Sequence, residues 1–368
     1  MPKRLVVCCD GTWNTPDQAA PTNVTKLALA VSSHDTTGVE QRMFYHRGVG
    51  TTRSQRLRGG AFGFGLSRDV RDTYRFIVAN FEPGDEIFFF GFSRGAFTAR
   101  STAGFVRNSG ILRPEQADRV DEAYALYRSR TAHPRGIEAQ LFRRSYSTET
   151  RIRFIGVWDT VGALGVPLSG LRFINYLNRG SQFHDTDLST TVDAAYQALA
   201  IDEKRQPFRP AVWNVQPSSA EQEVEQVWFA GVHCDVGGGY QEHALADIPL
   251  LWMIDKATKH GLAVDDDVLM AGPFASQQGA SSSGPTPNPL GEQHESRSRF
   301  YRLLSPYIRP IDREVTTREW ASSSAVKRHE ENSDYKPPNL TEYLSGGHQV
   351  MDVCAVGSRC AAATPASG

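Results

Sequence analysis

Four short apolar runs recur along the chain, and each stops abruptly at a polar or glycine-rich turn. Residues 4–9 end at Asp10-Gly11-Thr12, residues 86–90 at Gly91-Phe92-Ser93, residues 152–158 at Asp159-Thr160, and residues 224–232 at His233. Runs this short, rich in valine, isoleucine and phenylalanine, read as strands covered on both faces, as in a parallel sheet. Between them, apolar residues recur at three- and four-residue spacing over 67–81, 96–107, 116–129 and 190–201, which predicts helices. Leu250-Leu251-Trp252-Met253 reads as part of a further helix. Strands alternating with helices predict an α/β fold with a mostly parallel central sheet, helices on both faces and right-handed crossovers.

The pattern fades at 272–292, a stretch dense in Ser, Gly, Pro and Gln that reads as a mobile loop. Order returns near Phe300 and continues to about Leu344, broken by Pro306, Pro310, Pro337 and Pro338. The expected organisation is one domain over 1–345, followed by a disordered tail over 346–368, which is mostly small residues.

Composition changes this picture little. Hydrophobic residues make up 40% and charged residues 22%, as in soluble globular chains. Forty basic against 41 acidic side chains argue against a nucleic-acid partner. The basic cluster at 47–58 reads as a solvated loop rather than an anion site. Five cysteines (Cys8, Cys9, Cys234, Cys354, Cys360) are an odd number with no C-x-x-C spacing, which fits a reduced compartment. The apolar run after Met1-Pro2-Lys3-Arg4 is too short for a signal peptide, and no stretch approaches the roughly 20 apolar residues that span a bilayer. The expectation is a cytoplasmic protein, with export by a route that uses no cleaved signal left open, and peripheral contact with a membrane compatible with the sequence.

All four turns fall just past the C-terminal end of a predicted parallel strand, the edge at which open α/β sheets bind ligands. Gly91-Phe92-Ser93-Arg94-Gly95 matches the G-x-S-x-G elbow, in which a tight strand-to-helix turn raises a serine and leaves no room for a Cβ on either flank. The apolar run before it and the helical pattern after it supply the context that an α/β-hydrolase-like fold requires. A serine hydroxyl needs a base to take its proton, and in this fold the partners follow in the order Ser, Asp, His. Ser93 is therefore the candidate nucleophile, Asp159 the acid and His233 the base. Asp202, Asp235 and Asp247 are rival acids. Backbone N–H groups that face a developing oxyanion are expected from Arg94, after the nucleophile, and from Gly11 or Thr12, after the first strand. Trp13, Phe62, Phe64, Phe92 and Phe97 are candidates to line an acyl pocket, although aromatic residues beside strands more often belong to the core.

Two other chemistries compete for these turns. His233, Cys234, Asp235 and His243 are metal-ligand types, but neighbours in sequence point apart and the spacing fits no known ligand pattern. Asp10-Gly11-Thr12 is compatible with a phosphatase aspartate, but the second aspartate that such enzymes place two residues away is replaced by Cys8 and Thr12. No EF-hand-like spacing for calcium is present. The chemistry expected at Ser93 calls for no metal and no organic cofactor.

Taken together, Cys9-Asp10-Gly11-Thr12-Trp13-Asn14, Gly91-Phe92-Ser93-Arg94-Gly95-Ala96, residues 156–162 (GVWDTVG) and residues 231–240 (GVHCDVGGGY) resemble a family of α/β-hydrolases catalogued as a domain of unknown function, numbered 2235. That family includes phospholipase effectors of bacterial type VI secretion. Residues 198–203 and 246–250 match more weakly, and the resemblance runs from about residue 4 to about residue 345. It implies a triad of Ser93, Asp159 and His233, in agreement with the placement above, and a serine esterase that acts on carboxylic esters of the lipid or phospholipid class. No long additional membrane-docking domain like that of large effectors is expected here, which makes a cytosolic ester hydrolase at least as strong an expectation. An acyltransferase using the same triad and a non-catalytic binding protein on a hydrolase fold are the alternatives.

Overall fold

The computed structural model describes residues 2–11, 20–48, 62–129, 133–161, 188–216, 221–272, 284–297, 301–303, 305–312 and 315–353. Strand β1 (Arg4–Cys9) leads through helix α1 (Asn23–Ala30) to β2 (Gln41–His46). Then α2 (Phe62–Asn80), β3 (Glu86–Phe92) and α3 (Arg94–Ser109) follow. A two-stranded ribbon of β4 (Ile111–Leu112) and β5 (Ser147–Thr148) brackets α4 (Val120–Arg128) and α5 (Ile137–Tyr146). The second half runs β6 (Ile152–Trp158), β7 (Val192–Ala200), β8 (Glu223–Phe229), α6 (His233–Gly237), α7 (Ala244–Lys259), α8 (Asp266–Ala271), β9 (Glu319–Ser322), α9 (Ser323–Glu331), α10 (Pro338–Ser345) and β10 (Val350–Met351).

Eight strands form one sheet in the order β10-β9-β8-β7-β6-β3-β1-β2, and every pairing in it is parallel. The consecutive phenylalanines of β3 show why its run has no polar alternation. Ile87 and Phe89 enter the core shared with α2 and α3, whereas Phe88 and Phe90 enter the core that includes residues of α1 and α7. Both faces are covered, so both sets of side chains are apolar. Because the strands are parallel, their C-terminal ends share one edge, and the ends of β1, β3, β6 and β8 bring all four sequence turns to it.

One predicted element changes type. Residues 190–201 have helical spacing and four alanines, yet Val192–Ala200 is strand β7, paired with β6 on one side and β8 on the other. A strand buried on both faces has no period-two signal, and ladder partners on both edges override alanine's helical preference. The pattern at 116–129 divides into a 3-10 turn over Pro114–Arg119 and α4. The edge strand β2 and the short β9 lie outside the apolar runs that mark strands in the sequence.

The stretch expected to be mobile at 272–292 divides as well. Residues 273–283 lie outside the described residues, whereas 284–292 lie along α7. There Thr286 N–H donates to Asp247 Oδ2 at 2.8 Å, Asn288 N–H donates to the Ala244 carbonyl at 3.1 Å, and Arg328 Nη1 donates to the Pro289 carbonyl at 2.8 Å. The tail expected from residue 346 still contributes β10 and the buried Val353, and residues 354–368 lie outside the described set. No described helix is long and apolar enough to cross a membrane.

Candidate active site

Ser93 stands between the end of β3 and the first turn of α3 with φ +58° and ψ −118°. This is a region that a residue with a Cβ occupies only at a cost of roughly 1–3 kcal/mol. The flanking glycines make the turn feasible. A Cβ on Gly91 would lie 2.6 Å from Ala96 Cα, and one on Gly95 would lie 2.1 Å from the Cys9 carbonyl oxygen, backbone atoms in both cases. The spacing G-x-S-x-G is thus a steric requirement of a helix start wedged against the end of β1.

His233 opens α6. Asp235 Oδ2 accepts the Val232 N–H at 3.0 Å and closes that turn. The imidazole lies between two rings, tilted against Phe92 at 4.6 Å and edge-on to Phe208 at 5.0 Å between centroids. Its Nε2 is 2.8 Å from Ser93 Oγ, and its Nδ1 is 2.5 Å from Asp159 Oδ2. An ionised carboxylate only accepts, so Nδ1 carries the proton, and Nε2 presents its lone pair to the Ser93 hydroxyl.

Asp159 is fully buried and sits at φ +38° directly after β6. Its four acceptor positions are filled. Oδ1 accepts the Ala200 N–H at 3.0 Å and Arg309 Nη1 at 2.6 Å, and Oδ2 accepts His233 Nδ1 and Arg309 Nη2 at 3.0 Å. Burial alone would raise its pKa. The charge of Arg309, with the hydrogen bond and charge of His233 adding to it, outweighs burial and holds the carboxyl well below its usual range.

The rival acids are engaged elsewhere. Asp202 accepts the Gly231 N–H and the Tyr335 hydroxyl, Asp235 meets His294, and Asp247 bridges Lys26 and His243. Asp10 Oδ2 accepts the hydroxyls of Thr22, Thr25 and Tyr45, and its Oδ1 accepts the Gly11 N–H at 2.6 Å. An aspartate so enclosed organises the turn after β1 rather than attacking a substrate. The Gly11 donor expected to face an oxyanion points at Asp10 in this structure. Thr12 and Trp13 lie outside the described residues, as do the side chains of Phe62 and Phe64. Phe92 packs under the imidazole. No group of three or more ligand-type side chains is placed to hold a metal among the described residues, and His233, Asp235 and His243 each face a different partner. Cys8, Cys9 and Cys234 are free thiols, and burial pushes Cys234 up to about 12.

Sequence reading missed Arg309, Glu203 and Phe208. Glu203 is fully buried, grips Arg205 in a fork at 2.9 and 2.8 Å, and accepts the His233 N–H at 3.4 Å. Its weak motif at 198–203 was a signal for it. Arg309, between Ile308 and Pro310, had none.

On α2, burial and then the like charge of Asp72 push the Asp69 carboxyl up to about 7, against Arg68 and Arg94. For an acid raised in the folded state, the native protein binds more protons than the unfolded chain between about pH 4 and pH 7, so stability falls across that window as pH rises. Asp69→Asn is expected to leave Tm nearly unchanged at pH 4.5 and to raise it at pH 8. A Tm difference from wild type that does not grow with pH in thermal denaturation would contradict this.

The parallel sheet, the elbow at Ser93 and the histidine and aspartate that meet it define an α/β-hydrolase-like domain. The chain belongs to the family described as the type VI secretion phospholipase effector Tle1-like catalytic domain, which residues 3–256 match. An uncharacterized protein of Saccharomyces cerevisiae is 28% identical over 239 residues, 58% of this chain and 33% of that protein, so this chain spans about a third of its relative's length. Among solved structures, an uncharacterized protein from Pseudomonas aeruginosa has a TM-score of 0.46 at 18% identity, covering 76% of this chain and 49% of that one. A propionate-bound thermophilic esterase of Thermogutta terrifontis has a TM-score of 0.37 at 13% identity, covering 71% and 85% respectively.

Proposed function

We propose that the chain is a serine hydrolase that cleaves carboxylic esters, with lipid acyl esters as the substrate class, through a triad of Ser93, His233 and Asp159. The unbroken line of contacts from Ser93 Oγ to His233 Nε2, and from His233 Nδ1 to Asp159 Oδ2, carries this reading. His233 Nε2 takes the hydroxyl proton as Ser93 Oγ bonds to the ester carbonyl carbon. The tetrahedral intermediate collapses with that proton delivered to the leaving alcohol, giving an acyl-enzyme. Water, deprotonated by the same nitrogen, then releases the acid and restores the serine. Asp159 keeps the proton on Nδ1 throughout. The Arg94 N–H, at the head of α3, is the oxyanion donor supplied by the elbow, and the turn at 11–12 is the place for a second. Lipid is the proposed class because the family is one of phospholipase effector catalytic domains.

A fluorophosphonate probe should label the purified protein, with the modified peptide containing Ser93. The same preparation should hydrolyse phosphatidylcholine vesicles faster than soluble short-chain nitrophenyl esters. Labelling elsewhere, or none in folded protein, would end the serine-hydrolase reading. Preference for soluble esters would end the lipid assignment alone.

A further inference from the structure

Arg309 lies beyond residues 3–256, which the family matches, yet no atom of its side chain reaches solvent and its guanidinium contacts the carboxylate at the centre of the site. The fork to both Asp159 oxygens allows one rotation of that carboxylate, the rotation that aims Oδ2 at His233 Nδ1. The same two nitrogens donate to the Ala200 carbonyl at 2.8 Å, at the end of β7, and to the Phe208 carbonyl at 2.5 Å. Phe208 is the ring set edge-on against His233, and Arg205 Cζ lies 3.6 Å from the centroid of that ring, held there by Glu203. One guanidinium therefore holds both the acid that orients the imidazole and the residue that covers it. Arg309 is itself fixed from α10, where Asn339 Nδ2 donates to the Arg309 carbonyl at 2.9 Å and to the Ile201 carbonyl at 3.2 Å.

The charges balance around the ring. Asp159 and Glu203 are negative, and Arg309 and Arg205 are positive. Removing Arg309 would leave Asp159 to burial, which favours its neutral form, and a carboxylic acid free to rotate no longer fixes the Nδ1 proton.

We propose that Arg309 is a positioning residue for the Ser93–His233–Asp159 relay, and that residues 307–312 and α10, beyond the family-matched residues, are part of the active-site machinery. This rests on the triad reading above. Arg309→Lys keeps a charge without the fork, and Arg309→Met removes both. In the full chain, Arg309→Met is expected to lower kcat about 10²-fold with KM changed less than about threefold, the size of effect seen when a reacting group is misplaced. The acid limb of its kcat profile should move to higher pH, as Asp159 takes up a proton more readily. Arg309→Lys should lose about tenfold in kcat and keep the wild-type acid limb, which separates orientation from charge. Adding Arg309→Met to Asp159→Asn should cost no further activity.

Near-UV circular dichroism identifies the folded variants, and if Arg309→Met does not fold, Arg309→Lys decides. A folded variant with wild-type kcat and pH profile, or losses that multiply in the double variant, would overturn the assignment. Ser93→Ala, probed with fluorophosphonate in parallel, tells the two failures apart. Persistent labelling there defeats the triad itself, whereas lost labelling beside unaffected Arg309 variants defeats only the role of Arg309.

Discussion

Ser93→Ala is expected to lower kcat/KM for ester hydrolysis by about 10⁵- to 10⁶-fold while leaving the fold intact. The size follows from the geometry. Nucleophile and base act as a unit, so with Oγ gone His233 has no proton to take, and only substrate binding and oxyanion contacts remain, which are worth about 10³-fold over water. Stability should hardly change, because the backbone at Ser93 is held by the Trp158 carbonyl and the start of α3 rather than by the hydroxyl. Hydrolysis rates and thermal denaturation of the same sample check both halves. A folded variant retaining a tenth of wild-type activity would place the chemistry elsewhere.

Asp159→Asn is expected to lower kcat about 10⁴-fold and also to lower Tm. The amide nitrogen of asparagine would donate to Nδ1 and drive the imidazole proton to Nε2, where it blocks transfer from Ser93. The fall in stability arises at Arg309, whose buried charge would lose its carboxylate, and breaking one side of such a pair costs about 3–5 kcal/mol. The pH dependence has a definite sign. The folded carboxyl lies well below its unfolded value, so its contribution is fully present above about pH 4 and is lost only as pH falls through the depressed value. The Tm difference between wild type and Asp159→Asn should therefore be flat from pH 5 to pH 8, as differential scanning calorimetry would show. A difference that grows steadily toward pH 8 would contradict the pairing with Arg309.

Ser93 is legible from five consecutive residues because the constraint is local. Gly91 and Gly95 are demanded by backbone atoms of the same turn and of the strand beside it, and the apolar run and helical pattern on either side announce that turn. Asp159 and His233 were legible for a related reason. Each directly follows a strand, and a parallel sheet brings strand ends to one edge whatever the loops between them do. The family resemblance read from those same turns agrees with the match over residues 3–256.

What only the tertiary structure decided concerns groups whose role depends on partners far along the chain. Residues 192–200 are a strand because β6 and β8 flank them, and their alanines carry no such message. Asp10 is enclosed by Thr22, Thr25 and Tyr45, which removes it from chemistry that its own motif allowed. Arg309 sits 150 residues from the aspartate it grips, in a proline-flanked stretch with no periodicity. Local sequence encodes turns, strand ends and steric limits, because these are set by neighbouring backbone. The pairing of buried charges is set by which distant segments pack together, and it becomes visible only in the folded chain.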